Sequence, residues 1–506
     1  MSDTGSPPSA TSLRAHLSTA LATRFGIDTR ALAALRISLG LLLLVDLLLR
    51  ARSLVAFYTD AGVFPRTLLY EQYPTLSQMS IHPLSGAAWF QALLFLLAGL
   101  CALSLLLGYR TRLAVLLSFV LLVSLHARNP DVLNGGDSVL RRLLFWGLFL
   151  PLGERWSLDA LRRSEARRER IAGIASAALL VQVVLVYSVN AVFKLRGDLW
   201  LDGEAVRYVL NLQQLTVLLG DTLAQFPALL RAFGWLWLAM VVASPLLLLL
   251  TGRLRTAFVS LFVGMHLGMF LTMRIGLFPL VSIAALLVFL PSSAWNRAAA
   301  RLSGPAESAA TRLGVPAGLD RLRSDGTPRV AASQRVAALR RWGARVVPAV
   351  VAVLLAAILV WNALAVGFVS MPGRGEPALD PADHTWNMFA PHPPTSDGWY
   401  VAPGELRSGK RVDAYYLSSP VGDERPDTLE MYPSSRWRKY LVDAYWSGDE
   451  DVQREFAGYL CDRWNEKREG ELRSVTVSYV EQPTRFDGPE PTERVELVRY
   501  NCSSGA

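Results

Sequence analysis

The sequence has little charge for its length. Only 18% of its 506 residues are charged, whereas a soluble domain averages about 25%, and its mean hydropathy is positive, at +0.30. This composition excludes an ordinary soluble enzyme, a disordered chain and a fibrous protein. The deficit is local, because residues 1–370 contain long apolar runs and residues 371–506 resemble a soluble domain. The sequence therefore predicts an integral membrane protein with an appended domain.

Lysine and cysteine are also scarce. Only four of the 51 basic residues are lysine, and Lys194 alone lies in the membrane half. Of the three cysteines, Cys101 lies in an apolar run, whereas Cys461 and Cys502 lie in the polar C-terminal part. If that part is extracytoplasmic, these two cysteines would form a disulfide, with two unpaired thiols as the alternative.

Common metal and nucleotide motifs are missing. The sequence has no HExxH pair, no CxxC pair, no P-loop and no dinucleotide fingerprint. We therefore expect no metal and no nucleotide-driven transport. The pI of 9.6 does not indicate nucleic acid as a partner, because the basic residues lie mostly in short loops between apolar runs.

Nine apolar runs, give or take one, are long enough to predict membrane helices: 31–50, 86–107, 112–127, 138–152, 171–193, 232–251, 256–273, 277–291 and 346–369. Arginine concentrates in residues 154–170 and 292–345 and in the turns at 109–112 and 252–255. If the helices alternate in direction, these four segments and the N-terminus face the cytoplasm, and the acidic C-terminal domain lies outside the cell membrane.

The predicted fold is an all-α polytopic membrane bundle with a small extracytoplasmic α+β domain. Its parts are a cytoplasmic segment 1–30, a membrane domain 31–295, an Arg/Ala-rich cytoplasmic linker 296–345, a last membrane helix 346–369 and the outer domain 370–506. The stretch 292–345 predicts helices on the membrane surface. In the outer domain we expect a hairpin (399–406 and 411–417), helices near 434–446 and 451–467, and strands at 475–480 and 494–500.

Lys194 closes the fifth apolar run and shares one helical face with Tyr187 and Asn190. A polar stripe on a membrane helix should face the protein interior or a cavity. Burial would disfavour the ammonium form, so Lys194 could act as a general base. The alternative is a side chain that extends to the membrane interface. Because arginine is preferred everywhere else, the retention of lysine favours a specific role.

Histidines supply further candidates. His266 lies in the middle of an apolar run, where a histidine is either a satisfied packing residue or a functional group. His126 and Arg128 end the third run. The same two interpretations apply to them, and they are weaker candidates than His266.

Two loops contain unusual residue clusters. Residues 57–66 combine aromatic residues, Asp60, Gly, Pro and Arg66, which predicts a tight outer turn with an ion pair between Asp60 and Arg66. Residues 134–138 precede the fourth run, and Asp137 there either caps the helix, which we favour, or faces Lys194.

Three segments together resemble the HTTM (horizontally transferred transmembrane) domain, whose family includes the vitamin K-dependent gamma-glutamyl carboxylase. They are FYTDAGVFPR at 57–66, NGGD at 134–137 and KLRGDLWLDG at 194–203. The resemblance covers roughly residues 25–295 and continues weakly to WNMF at 386–389. The chain departs from the carboxylase in having no histidine in the loop before the fourth run and in having a smaller outer domain.

The resemblance implies an outward-facing pocket in which a membrane lysine starts the oxygenation of a lipid quinol, either vitamin K hydroquinone or menaquinol. In the carboxylase, O2 is consumed and a peptide or protein glutamate then captures CO2. The resemblance matches Lys194 to that lysine and His266 to a second catalytic residue. Tyr187, Asn190, Arg274 and Trp200 would line the pocket, and Asp137 would replace the missing histidine.

Two other functions are compatible with the sequence. The first is a non-catalytic membrane protein that binds a lipid or a protein partner in the same cavity, with Lys194 anchoring an anionic headgroup. The second is a proton-coupled carrier, which fits less well because the apolar runs contain few acidic residues.

Overall fold

A computed structural model describes residues 10–163, 166–301, 334–369, 381, 385–420 and 422–502. The longer helices of the N-terminal part are α1 (Ala10–Phe25), α2 (Thr29–Ala51), α3 (Ala88–Leu107), α4 (Thr111–Arg128), α5 (Gly135–Gly147), α6 (Ile174–Lys194), α7 (Pro227–Val242), α8 (Gly252–Thr272), α9 (Phe278–Leu286), α10 (Ser292–Arg301) and α11 (Gln334–Val366). Short helices connect them at Leu54–Tyr58, Arg66–Gln72, Pro74–Gln78, His82–Leu84, Pro130–Val132, Leu158–Leu161, Asp198–Leu201, Ala205–Asn211, Gly220–Ala224, Leu246–Leu249 and Leu287–Phe289.

Helices occupy all nine predicted runs, and the protein is a multi-pass helical bundle. Among the described residues, six helices are long and apolar enough to cross a membrane: α2, α3, α4, α6, α8 and the Arg345–Val366 part of α11. The segment Phe278–Phe289 bends by 108° into α10, and this pair would make a seventh span. The predicted surface helices between 302 and 333 lie outside the described residues.

Several helices begin or end away from the predicted bounds, for local reasons. α6 begins at Ile174 because Arg170–Ile171 forms a two-residue strand, β2, with β1 (Ile27–Asp28). α7 ends at Val242, close to Pro245, which has no N–H to continue the ladder of hydrogen bonds. α5 has only 13 residues, so the fourth predicted run is a short helix.

The loops form two groups at two faces of the bundle, and contacts between segments distant in sequence join each group. At one face, β1 pairs with β2 of the basic loop between α5 and α6, and the Arg255 guanidinium at the start of α8 donates to the Arg24 carbonyl at 3.0 Å. These are the segments that the sequence assigns together to one side. The C-terminal domain and the loop after α2 lie together at the other face.

The C-terminal domain is a five-stranded antiparallel sheet covered by two helices. Its strands are β3 (Ser396–Val401), β4 (Pro403–Leu406), β5 (Arg411–Asp413), β6 (Leu472–Pro483) and β7 (Glu493–Asn501), in the order β3-β6-β4-β5 with β7 on β6. The helices are α12 (Ser435–Ser447) and α13 (Glu450–Lys467), with a single turn at Thr428–Met431. The predicted hairpin is confirmed for β4 and β5, but Ala402 separates β3 from β4, so β3 pairs with β6 instead.

The predicted disulfide is present between Cys461 and Cys502, which are 41 positions apart and join α13 to the end of β7. Replacing both cysteines with serine should lower the thermal unfolding midpoint and cost about 2–4 kcal/mol of unfolding free energy, because the cross-link constrains the unfolded chain. The measurement is thermal unfolding of the wild type and the variant, each with and without dithiothreitol. Reductant should lower the wild-type midpoint to that of the variant, and an unaffected wild type would contradict this prediction.

A shared aromatic core joins the C-terminal domain to the loop after α2. The ring centroids of Phe57 and Trp437 lie 4.6 Å apart, and the Tyr440 hydroxyl donates to the Val63 carbonyl at 2.9 Å. The predicted Asp60–Arg66 ion pair is also present in this loop. The C-terminal domain is therefore packed directly on the helical bundle, and this contact positions α12 beside the site described below.

Candidate functional site

Lys194 is the last residue of α6, and its side chain is fully buried, with 0% exposure. The ammonium Nζ lies 3.1 Å from the centroid of the Trp200 ring and 5.1 Å from that of Trp237. Its hydrogen-bond acceptor is the Met388 carbonyl, at 3.4 Å. Within the part of the chain that the structure describes, it forms no ion pair within 4 Å. The side chain therefore does not extend to the membrane interface.

The polar face predicted for α6 is directed into the protein. Tyr187, Asn190 and Lys194 are all buried. The Asn190 amide donates to the carbonyls of Trp386 and Met388, at 2.9 and 3.0 Å. This face therefore binds a segment of backbone that follows the last membrane helix in sequence.

That backbone segment, residues 385–391, is called the strap. Besides its bonds to Asn190 and Lys194, it accepts a hydrogen bond from the Trp200 indole at the Phe389 carbonyl, at 2.7 Å. A Cβ at Gly197 would collide with the Pro391 carbonyl, so glycine there allows the close approach of the two chains. The strap thus covers Lys194 and belongs to the site.

A cavity of about 880 Å³ lies beside the strap. Tyr187, Asn190 and His266 line it, together with the strap residues Thr385, Trp386, Asn387, Met388 and Phe389. Lys194 is not among the residues that line this cavity, but Met388 and Trp237, which it contacts, do line it.

A smaller, apolar cavity of about 340 Å³ adjoins the first. The two share Trp237, Met265, Met269 and Phe389 as wall residues. Trp200, which the sequence places in the pocket, lines the smaller cavity and contacts Lys194 with its ring. Together the cavities form one chamber, in which the larger part has both polar and apolar lining residues and the smaller part is apolar.

His266 is buried in the middle of α8 and lines the larger cavity. Its Nδ1 lies 2.9 Å from the Phe262 carbonyl, which can only accept, so Nδ1 carries the proton. In the neutral imidazole Nε2 is then the acceptor. The His266 ring packs between Tyr187 and Phe278, with centroids 5.9 Å from each.

Arg274 follows α8 and lies at the edge of the site. Its backbone N–H donates to the Leu215 carbonyl at 2.7 Å. The next residue, Ile275, lines the larger cavity, whereas Arg274 is not among the lining residues. The sequence predicted that Arg274 lines the pocket. In the structure it lies next to the lining residue Ile275 without lining the cavity itself.

Asp137 has the capping role favoured from the sequence, and it also pairs with buried arginines. It completes a capping box with Asn134 at the start of α5. Its carboxylate accepts from Arg50 at 2.6 Å and from Arg436 at 2.9 Å, and Asp46 accepts from the same two arginines at 2.7 and 2.5 Å. The structure thus pairs Asp137 with Arg50 and Arg436, not with Lys194.

This buried cluster of Asp46, Arg50, Asp137 and Arg436 is called the ion-pair network. Burial lowers the pKa of the Arg436 guanidinium, but the carboxylates of Asp137 and Asp46 outweigh burial and raise this pKa well above its ordinary value. Sequence reasoning missed three of the four members. The sequence does contain one signal for this network. Asp46 and Arg50 lie four residues apart in an otherwise apolar run, and buried charges in a membrane helix need partners.

The ligand atoms of Asp46, His126 and Asp137 lie within 4.8 Å of one another, a spacing that a metal ion could use. Arg50 and Arg436 already bond to both carboxylates and supply two positive charges. The charge of a divalent cation there would be opposed by these guanidiniums, so the cluster fits an ion-pair network and not a metal site. The other weak candidate, Arg128, donates to the Phe64 and Thr59 carbonyls and holds the loop after α2.

Comparison with known proteins gives one match. The sequence model of the HTTM domain matches residues 26–295, which is more than half of the chain and contains Lys194, Asn190 and His266. The strap and the C-terminal domain lie beyond the matched range. No curated protein and no solved structure matches the chain. The protein is therefore a member of the HTTM domain family.

Proposed function

We propose that this membrane protein oxidises a lipid quinol in the chamber beside Lys194, with the Lys194 amine as the base. The observation that carries the proposal is the environment of Lys194: a fully buried amine that has no carboxylate partner among the described residues. Burial without a counter-ion disfavours the charged form of a lysine, which makes its amine available as a base.

The chamber suits a lipid quinol in size and in character. Its volume of about 880 Å³ lies in the range typical of ligand sites, about 300–1,000 Å³. The aromatic rings of Tyr187, Trp237 and Phe278 offer surfaces for the quinol ring. The adjoining apolar cavity of about 340 Å³ suits part of an isoprenoid chain, which would enter past Trp237 and Phe389.

When bound, a reduced quinone and O2 would yield an epoxide and water, a reaction that the carboxylase resemblance couples to proton removal from a glutamate and capture of CO2. The chain's own residues would prepare the ligand for this step. Lys194 would accept a proton after the strap moves aside, and His266, with Nδ1 committed to Phe262, would present Nε2 as an acceptor for a hydroxyl group. Asn190 would hold the strap, and Trp200 would orient the amine.

We further propose that the N-terminus is cytoplasmic and that the C-terminal domain is extracytoplasmic. The basic segments gather at one face of the bundle, as cytoplasmic loops do. The disulfide between Cys461 and Cys502 lies in the domain at the other face, where an oxidising compartment would preserve it.

A second candidate function, non-catalytic binding of a lipid or partner, is favoured by one contact. The Lys194 ammonium lies over the Trp200 ring at 3.1 Å, and such a cation–π contact stabilises the charged form. Lys194→Arg separates the two functions. Arginine keeps the positive charge but does not give up its proton, so ligand binding would survive the change and base chemistry would not.

The experiment that tests the proposal uses the purified full chain with reduced menaquinone or vitamin K hydroquinone, in the presence and absence of O2. Product is identified by mass spectrometry, and quinol binding is measured separately in the same preparation. We expect epoxide that depends on O2 and that the Lys194→Arg variant does not form. Quinol binding without epoxide would contradict catalysis and support the second candidate.

A further inference from the structure

The wall of the larger cavity that is shared by α5 and α12 is positively charged. It contains Arg141 and Arg142 from α5 and Arg438 and Lys439 from α12, and these four residues are called the cationic wall. None of the described residues that line the cavity is an aspartate or a glutamate. The charge of this wall is therefore not balanced within the cavity itself.

The three arginines of the wall have no carboxylate partner within 4 Å among the described residues. The Arg141 guanidinium lies 3.3 Å from His126 Nδ1, and Arg142 lies 4.4 Å from the centroid of the Trp386 ring. The Nε of Arg438 is buried and makes no hydrogen bond. Only Lys439 has an acidic partner, Asp443 on the next turn of α12.

The ion-pair network beside the cavity contains arginines that do have carboxylate partners. Arg50 and Arg436 lie near the same helices, and each is bonded to two carboxylates. Removing a guanidinium from water without a partner is costly. Burial also lowers the pKa of the Arg438 guanidinium, which shows that its surroundings do not stabilise the charge. Other buried arginines, such as Arg36 and Arg128, also lack a carboxylate among the described residues but donate to several backbone carbonyls. The wall arginines make few such bonds and line a cavity, which favours an external anion as their partner.

The chemistry of the wall restricts the class of anion. Three guanidiniums without a carboxylate partner in the described part of the chain carry three positive charges. A ligand with more than one negative charge neutralises them better than a single carboxylate does. A phosphate monoester carries about −1.5 to −2 at neutral pH and offers three acceptor oxygens, which suit the planar forks of arginine. The cavity is also lined by apolar residues, among them Leu76, Met79 and Phe119. Met79 is exposed, so the cavity reaches the surface there.

We propose that the cationic wall binds the terminal phosphate group of a lipid, whose apolar chain lies against Leu76, Met79 and Phe119. This site lies in the same larger cavity as the proposed quinol site but uses different residues of its lining. It does not rest on the proposed quinol chemistry, because it follows from the charge of the wall alone.

The test measures lipid binding to the purified full chain by native mass spectrometry. The probes are dioctanoyl phosphatidic acid, which carries a terminal phosphate, and dioctanoyl phosphatidylcholine, which has the same chains without net charge. We expect the wild type to bind phosphatidic acid at least about tenfold more tightly, since charge-assisted hydrogen bonds are the strong ones. Equal affinity for the two lipids would overturn the proposal.

Variants of the wall locate the site. Arg142→Gln and Arg438→Gln should each weaken phosphatidic acid binding by about tenfold, and Arg142→Lys should retain part of it. The matched control is Arg411→Gln, which removes an exposed arginine from β5, outside the cavity. Each variant is first required to match the wild-type thermal midpoint. Folded Arg142→Gln and Arg438→Gln proteins that bind like the control would contradict the proposal.

Inorganic phosphate distinguishes the two sources of the phosphate group. If the site takes a lipid, added phosphate should not displace phosphatidic acid at millimolar concentration. Displacement that is lost in Arg438→Gln would support the cationic wall as a phosphate site but would overturn its assignment to a lipid.

Discussion

Replacing Lys194 with alanine is expected to reduce epoxide formation from a lipid quinol at least about 100-fold, which is the lower end of what a general base contributes. Lys194 is fully buried, and its amine is the basic group that α6 presents to the strap. Nearby Asn190 donates to the same Met388 carbonyl but cannot accept a proton at neutral pH. Initial rates of epoxide formation, measured by mass spectrometry under air, test this prediction.

Two further variants separate the loss of the amine from the loss of packing. Lys194→Met keeps the length of the side chain against Trp200 and Trp237 and should be as inactive as Lys194→Ala. Lys410→Ala removes an exposed lysine from the turn between β4 and β5 and should keep the wild-type rate. A folded Lys194→Met variant that still makes epoxide would refute the assignment of Lys194 as the base.

Arg436→Met should reduce the free energy of unfolding by about 3–5 kcal/mol, the usual cost of removing one member of a buried ion pair. Arg436 is contributed by the C-terminal domain and bonds to Asp46 and Asp137, both of which are buried in the membrane bundle. Without it, two carboxylates share the single guanidinium of Arg50. The measurement is denaturant unfolding in detergent, followed by tryptophan fluorescence.

The control for this prediction applies the same substitution to an exposed ion pair. Arg407 bonds to Glu471 at 3.0 Å, with the two side chains 63% and 62% exposed, so Arg407→Met should cost less than about 1 kcal/mol. Asp137→Asn added to Arg436→Met should recover part of the lost stability, because it removes the excess negative charge. Equal stability of Arg407→Met and Arg436→Met would show that the network does not stabilise the fold.

Local patterns in the sequence predicted the helices and the principal residue of the site. The scarcity of lysine drew attention to Lys194, and a spacing of three and four residues placed Tyr187 and Asn190 on the same face of α6. The structure confirms that this face is buried. The hairpin of β4 and β5 and the two helices of the C-terminal domain were also predictable, because turn residues and helix caps act over a few positions.

The partners of these residues were not predictable in the same way. Arg436 and Asp46 are 390 positions apart, and Asn190 binds Trp386 across 196 positions. The spacing of Asp137 and Lys194 in the sequence did not show whether the two side chains face each other. In the folded protein Asp137 pairs with Arg50 and Arg436 instead. Such contacts depend on how whole helices and domains pack, and no local window of the sequence contains that information.

The amino-acid sequence was enough to predict a membrane protein with a polar C-terminal domain, and the scarcity of lysine singled out Lys194. Hydrophobic runs and charge composition suffice for that, since the membrane selects apolar segments one at a time. The cover that the strap forms over Lys194, and the cationic wall shared by α5 and α12, became visible only in the folded protein. Both depend on how the C-terminal part of the chain packs on the bundle, and that packing brings together residues that are hundreds of positions apart.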